Sequence, residues 1–122
     1  MYANVYNRTK GTLVASRAKV ADSILSRLVG LLGRPSMKPG SGVWLVPSNS
    51  IHTIGMRFPI DLVLLNKVAR VVGVRERVRP YRFVWPNFEA RSVLELPADT
   101  VSTTRTEIGD QMQIEIAARA SP

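Results

Sequence analysis

Ile60-Asp-Leu-Val-Leu-Leu65, and the stretch Val68-Ala-Arg-Val-Val-Gly-Val-Arg-Glu-Arg-Val78 that follows it across Asn66-Lys67, decide how this chain folds. The first run is almost unbroken apolar sequence, the pattern of a strand covered on both faces. The second alternates, which predicts Val72, Val74 and Val78 on one face and Gly73, Arg75, Arg77 and Arg79 on the other. Two such runs joined by a polar pair make an antiparallel hairpin turning at Asn66-Lys67, with Ile60–Leu65 at the centre of a sheet.

Working outward, Thr12–Val20, Val43–Val46, Val93–Leu96 and Met112–Ala117 read as further short strands, the second of them stopped by Pro47. Ala98–Thr106 suits a short helix ahead of a Gly109-Asp110 turn. Asp22 or Ser23 can cap a longer one, because Ile24, Leu25, Leu28, Leu31 and Leu32 recur at helical spacing until Gly33 and Pro35 end the pattern. Arg34 to Gly42 is a turn-rich loop whose glycines match no phosphate-binding spacing. The expected fold is mainly β: a compact β-sandwich or barrel of short, largely antiparallel strands with one amphipathic helix near residues 22–32, α+β in part. No repeat or linker divides the 122 residues, so 1–122 forms a single domain.

Composition narrows the chemistry. The chain is 45% hydrophobic and 21% charged, as globular domains are. It has no cysteine, which removes disulfides, thiolate nucleophiles and sulfur-ligated zinc. No stretch approaches the length of a membrane span and the first residues lack the apolar run of a signal peptide, so a cytoplasmic protein with no membrane partner is expected. The net charge is +8, with seven basic residues against one acidic over residues 1–40, six against two over 41–80 and four against six over 81–122. Such an excess favours anionic partners, nucleic acid among them.

One segment mixes chemistry-bearing residues: Ser48-Asn-Ser-Ile-His-Thr-Ile-Gly-Met-Arg-Phe-Pro-Ile-Asp61. His52 is the single histidine. Asp61 enters the apolar strand, and a buried carboxylate needs partners, so His52, Arg57 or backbone amides are expected to reach it. Read functionally, His52 is a general base oriented by Asp61, with Ser48, Ser50, Thr53, Met56 and Arg57 around a ligand. Read structurally, the same groups are a satisfied polar network and Met56 is core. Ser48 or Ser50 would complete a Ser-His-Asp set, but neither sits in a nucleophile elbow. One histidine and scattered carboxylates predict no metal site and no cofactor.

Two basic features lie downstream. Arg75, Arg77 and Arg79 form a comb at period two, suited to phosphates or to protecting a sheet edge. Arg79-Pro-Tyr-Arg-Phe-Val-Trp-Pro-Asn-Phe88 interleaves Arg79 and Arg82 with four aromatics, the composition of a stacking platform for single-stranded nucleic acid or of a loop docked on its own core.

With Ser50-Ile-His-Thr-Ile-Gly-Met-Arg-Phe-Pro-Ile-Asp61 in view, the chain resembles the conserved prokaryotic family known as domain of unknown function 192. Gly30-Leu-Leu-Gly-Arg34, Gly42-Val-Trp-Leu, Val71-Val-Gly-Val, Arg79-Pro-Tyr-Arg82, Val93-Leu-Glu-Leu-Pro-Ala98 and Gly109-Asp110 extend the likeness over about residues 10 to 116. The resemblance implies a single mostly-β domain and supplies no activity; His52, Thr53, Gly55, Met56, Phe58, Pro59 and Asp61 are its motif positions. Many relatives carry cysteine where Ser48 stands, and a more usual glycine is replaced by Asp99.

The leading expectation is a small binding domain whose pocket for a polar or anionic ligand is walled by residues 48–61. A hydrolase or proton-transfer enzyme using His52 and Asp61 is the second reading, and nucleic-acid binding through Arg75, Arg77, Arg79 and Arg82 the third.

Overall fold

The computed structural model describes residues 1–23 and 35–117. Seven strands form one mixed sheet in the order β6-β5-β8-β3-β2-β1-β9: β1 Tyr2–Asn7, β2 Thr12–Ala21, β3 Val43–Leu45, β5 Ile60–Leu65, β6 Val71–Val78, β8 Ser92–Pro97 and β9 Met112–Ala117. Within it β2 and β3 run parallel and the other neighbours antiparallel. Two-residue strands β4 (Ile51–His52) and β7 (Phe83–Val84) pair separately, and a short helix α1 covers Thr100–Thr104. The mainly β, compact architecture is as expected; the helix near residues 22–32 lies almost wholly outside the described residues.

The sheet curls until its edges meet at one end. Arg70 bridges Gln111, Val71 N–H donates to Asp110 O, and Met112 N–H donates to Ala69 O, tying the start of β6 to the start of β9. Val5, Val14, Val63, Val71, Leu94, Leu96, Val101 and Met112, from both edges and the middle, accordingly share one inner cluster. A polar lock holds this closed end: Asp110 Oδ2 accepts from Asn7 Nδ2 at 2.8 Å, Glu107 N–H at 2.9 Å and Lys10 Nζ at 3.0 Å. Burial would raise the Asp110 pKa, but these donors and the Lys10 charge outweigh it and hold the carboxyl below its ordinary value.

Ile60–Leu65 lies inside the sheet between the edge strand β6 and β8 and is buried throughout, which is why its sequence is apolar apart from Asp61. Ile60, Leu62 and Leu64 face an outer cluster with Val43, Leu45, Met56 and Val93, while Val63 and Leu65 face inward. The β4–β7 pair lies over that outer cluster, with Ile51 and Val84 packed into it. The hairpin between β5 and β6 turns where expected. Asn66 organises it, its side-chain oxygen accepting from the amides of Val68 and Arg70.

The alternation expected for β6 is overturned. Register shifts fall between Leu64 and Leu65 and between Ile60 and Leu62, so β6 carries two irregularities against β5. Val72 and Val78 consequently pack against the outer cluster and Val74 against the inner one. Near the second irregularity Arg77 adopts a left-handed φ of 50°.

One core position is anomalous. Glu95 stands opposite Val43 and Leu62, residues of the outer cluster, and is only 4% exposed. Its Oε1 has no hydrogen-bond partner, and burial pushes its pKa up from 4.5 to about 7.

Candidate functional site

The segment 48–61 folds as a cover strip over β5 and β8. Ser48 N–H donates to Arg91 O, Ser48 Oγ donates to Ser50 O at 2.9 Å, and Asn87 N–H donates to Asn49 O. These bonds deliver Ile51 and His52 to β7, where Ile51 pairs with Val84 and His52 with Phe83. Alternation then sorts the pair: Ile51 and Val84 are buried, while His52 and Phe83 are exposed and cross-strand neighbours. Trp85, two residues beyond Phe83, meets it edge-on with ring centroids 6.0 Å apart. An imidazole, a phenyl and an indole thus share the outward side of a two-stranded ribbon.

Thr53 fixes what lies beside them. It is fully buried, and its hydroxyl bridges the turn that carries the arginines: Oγ1 donates to Arg79 O at 2.7 Å and accepts from Arg82 N–H at 2.7 Å. Its own N–H donates to Arg82 O and its carbonyl accepts from Tyr81 N–H. Gly55, at a left-handed φ of 84°, then bends the chain so that Met56 enters the outer cluster, 3% exposed. Met56 is therefore core, and Thr53 positions the arginine turn.

The expected His52–Asp61 pair is not formed. Asp61 is fully buried, its Oδ1 accepting from Arg77 N–H and its Oδ2 from Val101 N–H, both at 2.9 Å, and His52 is exposed with no side-chain hydrogen bond among the described residues. The carboxylate holds the β6 irregularity and the first turn of α1. It makes no hydrogen bond to the imidazole among the described residues, so the general-base pair expected from sequence is not formed. Of the remaining expected site residues, Arg57 is exposed, Ser50 is half-buried, and Ser48 lines a cleft of about 290 Å³ with Pro47, Asn49, Ala90 and Arg91.

The arginine comb is also redistributed. Arg77 is drawn to Asp99, with Nη2 and Nε each 2.7 Å from Oδ1. Asp99 sits at φ 76°, the left-handed conformation that glycine adopts most readily. Arg75 Nη1 donates to Val74 O, while Arg79 and Arg82 are exposed and form no ion pair among the described residues. The aromatic run does not dock on the core: Tyr81 is 66% exposed, Phe83 61%, Trp85 81% and Phe88 83%. Among the described residues, no group of three or more His, Cys, Asp or Glu is placed to hold a metal ion, and no helix is long and apolar enough to cross a membrane.

Comparison with known proteins agrees with this architecture. The chain is 32% identical over 120 residues to a UPF0127 protein of Thermococcus sibiricus, covering 94% of this chain and 77% of that one. It is 29% identical over 113 residues to a UPF0127 protein of Pyrococcus furiosus, covering 88% and 94%. A crystal structure of a protein of unknown function from Novosphingobium aromaticivorans superposes with a TM-score of 0.79 at 18% identity, over 93% of this chain and 84% of that one. One titled a putative transcription regulator from Sinorhizobium meliloti gives 0.78 at 20%, over 91% and 90%. Both share the fold. The family model for DUF192, described as an uncharacterized ACR, matches residues 5–114, and the chain belongs to that family.

Proposed function

We propose that the chain is a binding module for single-stranded nucleic acid, using the ribbon face of His52, Phe83 and Trp85 as a stacking platform beside the arginine turn. The observation that carries this reading is the exposure of these rings: Ile51 and Val84 of the same two strands are buried, yet Phe83 and Trp85 stay out in water on the other side. Keeping large apolar rings solvated forgoes burial energy, about 2 kcal/mol for a ring of this size. Rings held outward can instead receive bases, whose stacking on aromatic side chains contributes about 1–3 kcal/mol each. Arg79 and Arg82, placed by Thr53 and without carboxylate partners among the described residues, supply charge for the phosphates.

Fluorescence anisotropy with a labelled oligothymidylate tests the reading. Binding is expected at low salt, weakening with a slope of about −2 in log affinity against log salt if Arg57, Arg79 and Arg82 each meet a phosphate. Trp85→Ala and Phe83→Ala should each weaken it about tenfold. Absence of binding at low salt, or wild-type affinity in both variants, rejects the platform.

A second reading has its own observation. The cleft bounded by Ser48, Asn49 and Arg91 offers a hydroxyl, an amide and a guanidinium to a small polar or anionic ligand walled by the start of the 48–61 segment. Protection of Arg91 from a guanidine-modifying reagent by inorganic phosphate would support it, and unchanged modification would reject it.

A further inference from the structure

Among the described residues, the curl of the sheet leaves its interior open on one side. Along β9 the inward row is Met112, Ile114 and Ile116, alternating with polar Gln113 and Glu115. Met112 is 2% exposed and Ile114 still packs on the inner cluster, but Ile116 is 55% exposed. The row thus runs past the filled core. Beyond it lies a cleft of about 370 Å³ between β9, the Asn66–Ala69 turn, the end of β3 and the start of β8.

Its walls are apolar and its rim is cationic. Trp44, Val46, Ile114 and Ile116 supply the apolar surface; Lys67 and Arg91 are exposed at the edge, and no acidic side chain among the described residues lines the cleft. Lys67 forms no ion pair among the described residues. Trp44 lines the wall with its ring, while its Nε1–H is shut off from water and has no acceptor among the described residues. The volume falls within the range of small-molecule sites, and barrel mouths are a usual place for them.

We infer that this opening binds a small amphipathic carboxylate, its hydrocarbon body against Trp44, Ile114 and Ile116 and its charge at Lys67 and Arg91. Charge sets the sign of the ligand: an anion meets two cations, whereas an amine of equal length would meet the same cations in repulsion. Apolar area sets its body, since one carboxylate at an exposed rim gains little without it. This site is independent of the aromatic ribbon, so either can fail alone.

The test uses the full chain carrying Trp85→Phe, which leaves Trp44 as the one indole, titrated with decanoate below its micelle concentration while Trp44 emission is followed. A saturable change is expected. Ile116→Asp should weaken it about tenfold and Lys67→Glu several-fold, with far-UV circular dichroism and thermal midpoint unchanged because both side chains are exposed. Decylammonium should bind at least about tenfold more weakly than decanoate. A response that never saturates, equal affinity for the two amphiphiles, or no loss in either folded variant overturns the inference; if Ile116→Asp fails to fold, Lys67→Glu decides.

Discussion

Replacing Glu95 by glutamine should make this protein more stable at pH 8 than at pH 4.5, relative to the wild type. Glu95 is buried beside Val43 and Leu62 with Oε1 unpaired, so its charged form is disfavoured in the native state and its pKa rises from 4.5 to about 7. In the unfolded chain the same carboxyl titrates near its ordinary value. Between the two values the native state holds a proton that the unfolded state has lost, and stability therefore falls as pH rises through that window and levels off above about 7. The gap corresponds to about 3 kcal/mol, a large share of the stability of a domain this size. Glutamine keeps the shape and cannot ionise, so the Glu95→Gln variant lacks this loss. Urea unfolding at fixed ionic strength, at half-unit steps from pH 4.5 to 8.5, reads the difference between variant and wild type. Other titrating groups cancel in that difference. An increase of about 3 kcal/mol in favour of the variant is expected, with a midpoint difference of about 1–3 M urea at pH 8. Parallel stability profiles would refute the reasoning.

Further outcomes follow from the same geometry. Asp61→Ala removes the acceptors of the part-buried amide of Arg77 and the buried amide of Val101 and should cost about 3–5 kcal/mol by thermal or urea unfolding; a loss within about 0.5 kcal/mol would show that the carboxylate does not hold the fold. Lys10→Met should cost about 1 kcal/mol at pH 7 by removing the 3.0 Å contact to Asp110. Because the folded Asp110 pKa is lowered, that contribution is present above the unfolded value and lost as pH falls through the folded one, so the two proteins should converge in acid. Thr53→Val conserves shape but frees Arg79 O and Arg82 N–H; it should cost about 1–3 kcal/mol and weaken oligothymidylate binding by loosening the arginine turn.

What was legible in the sequence was local. The apolar run 60–65 and the Asn66 turn could be read because their causes lie within a few residues: burial on both faces, and a side chain that bonds its own backbone. The partners of Asp61 could not, since they come from 16 and 40 residues downstream. That left histidine, nine positions away, as the conspicuous candidate, although backbone amides were among the expected partners. The β6 irregularities escaped for a related reason: an extra residue shifts the alternation by one, and Val72 and Val74 look equally apolar in either frame. β1 went unread because its inward row, Ala3, Val5 and Asn7, combines a small residue with a buried amide whose partner Asp110 is 103 positions distant. β4 and β7 are two residues each, too short for any period to show. The aromatic run was legible as composition alone, because whether Phe83 and Trp85 point inward or outward depends on a strand pairing that begins 32 residues before Phe83, at Ile51.

The stacking claim is tested most directly at Trp85 itself. In a Trp44→Phe variant the remaining indole reports on the ribbon alone, and titration with unlabelled oligothymidylate at low salt should quench it saturably as bases stack on the ring. Emission that stays unchanged while the oligonucleotide binds, or no binding at any concentration reached, would contradict the account.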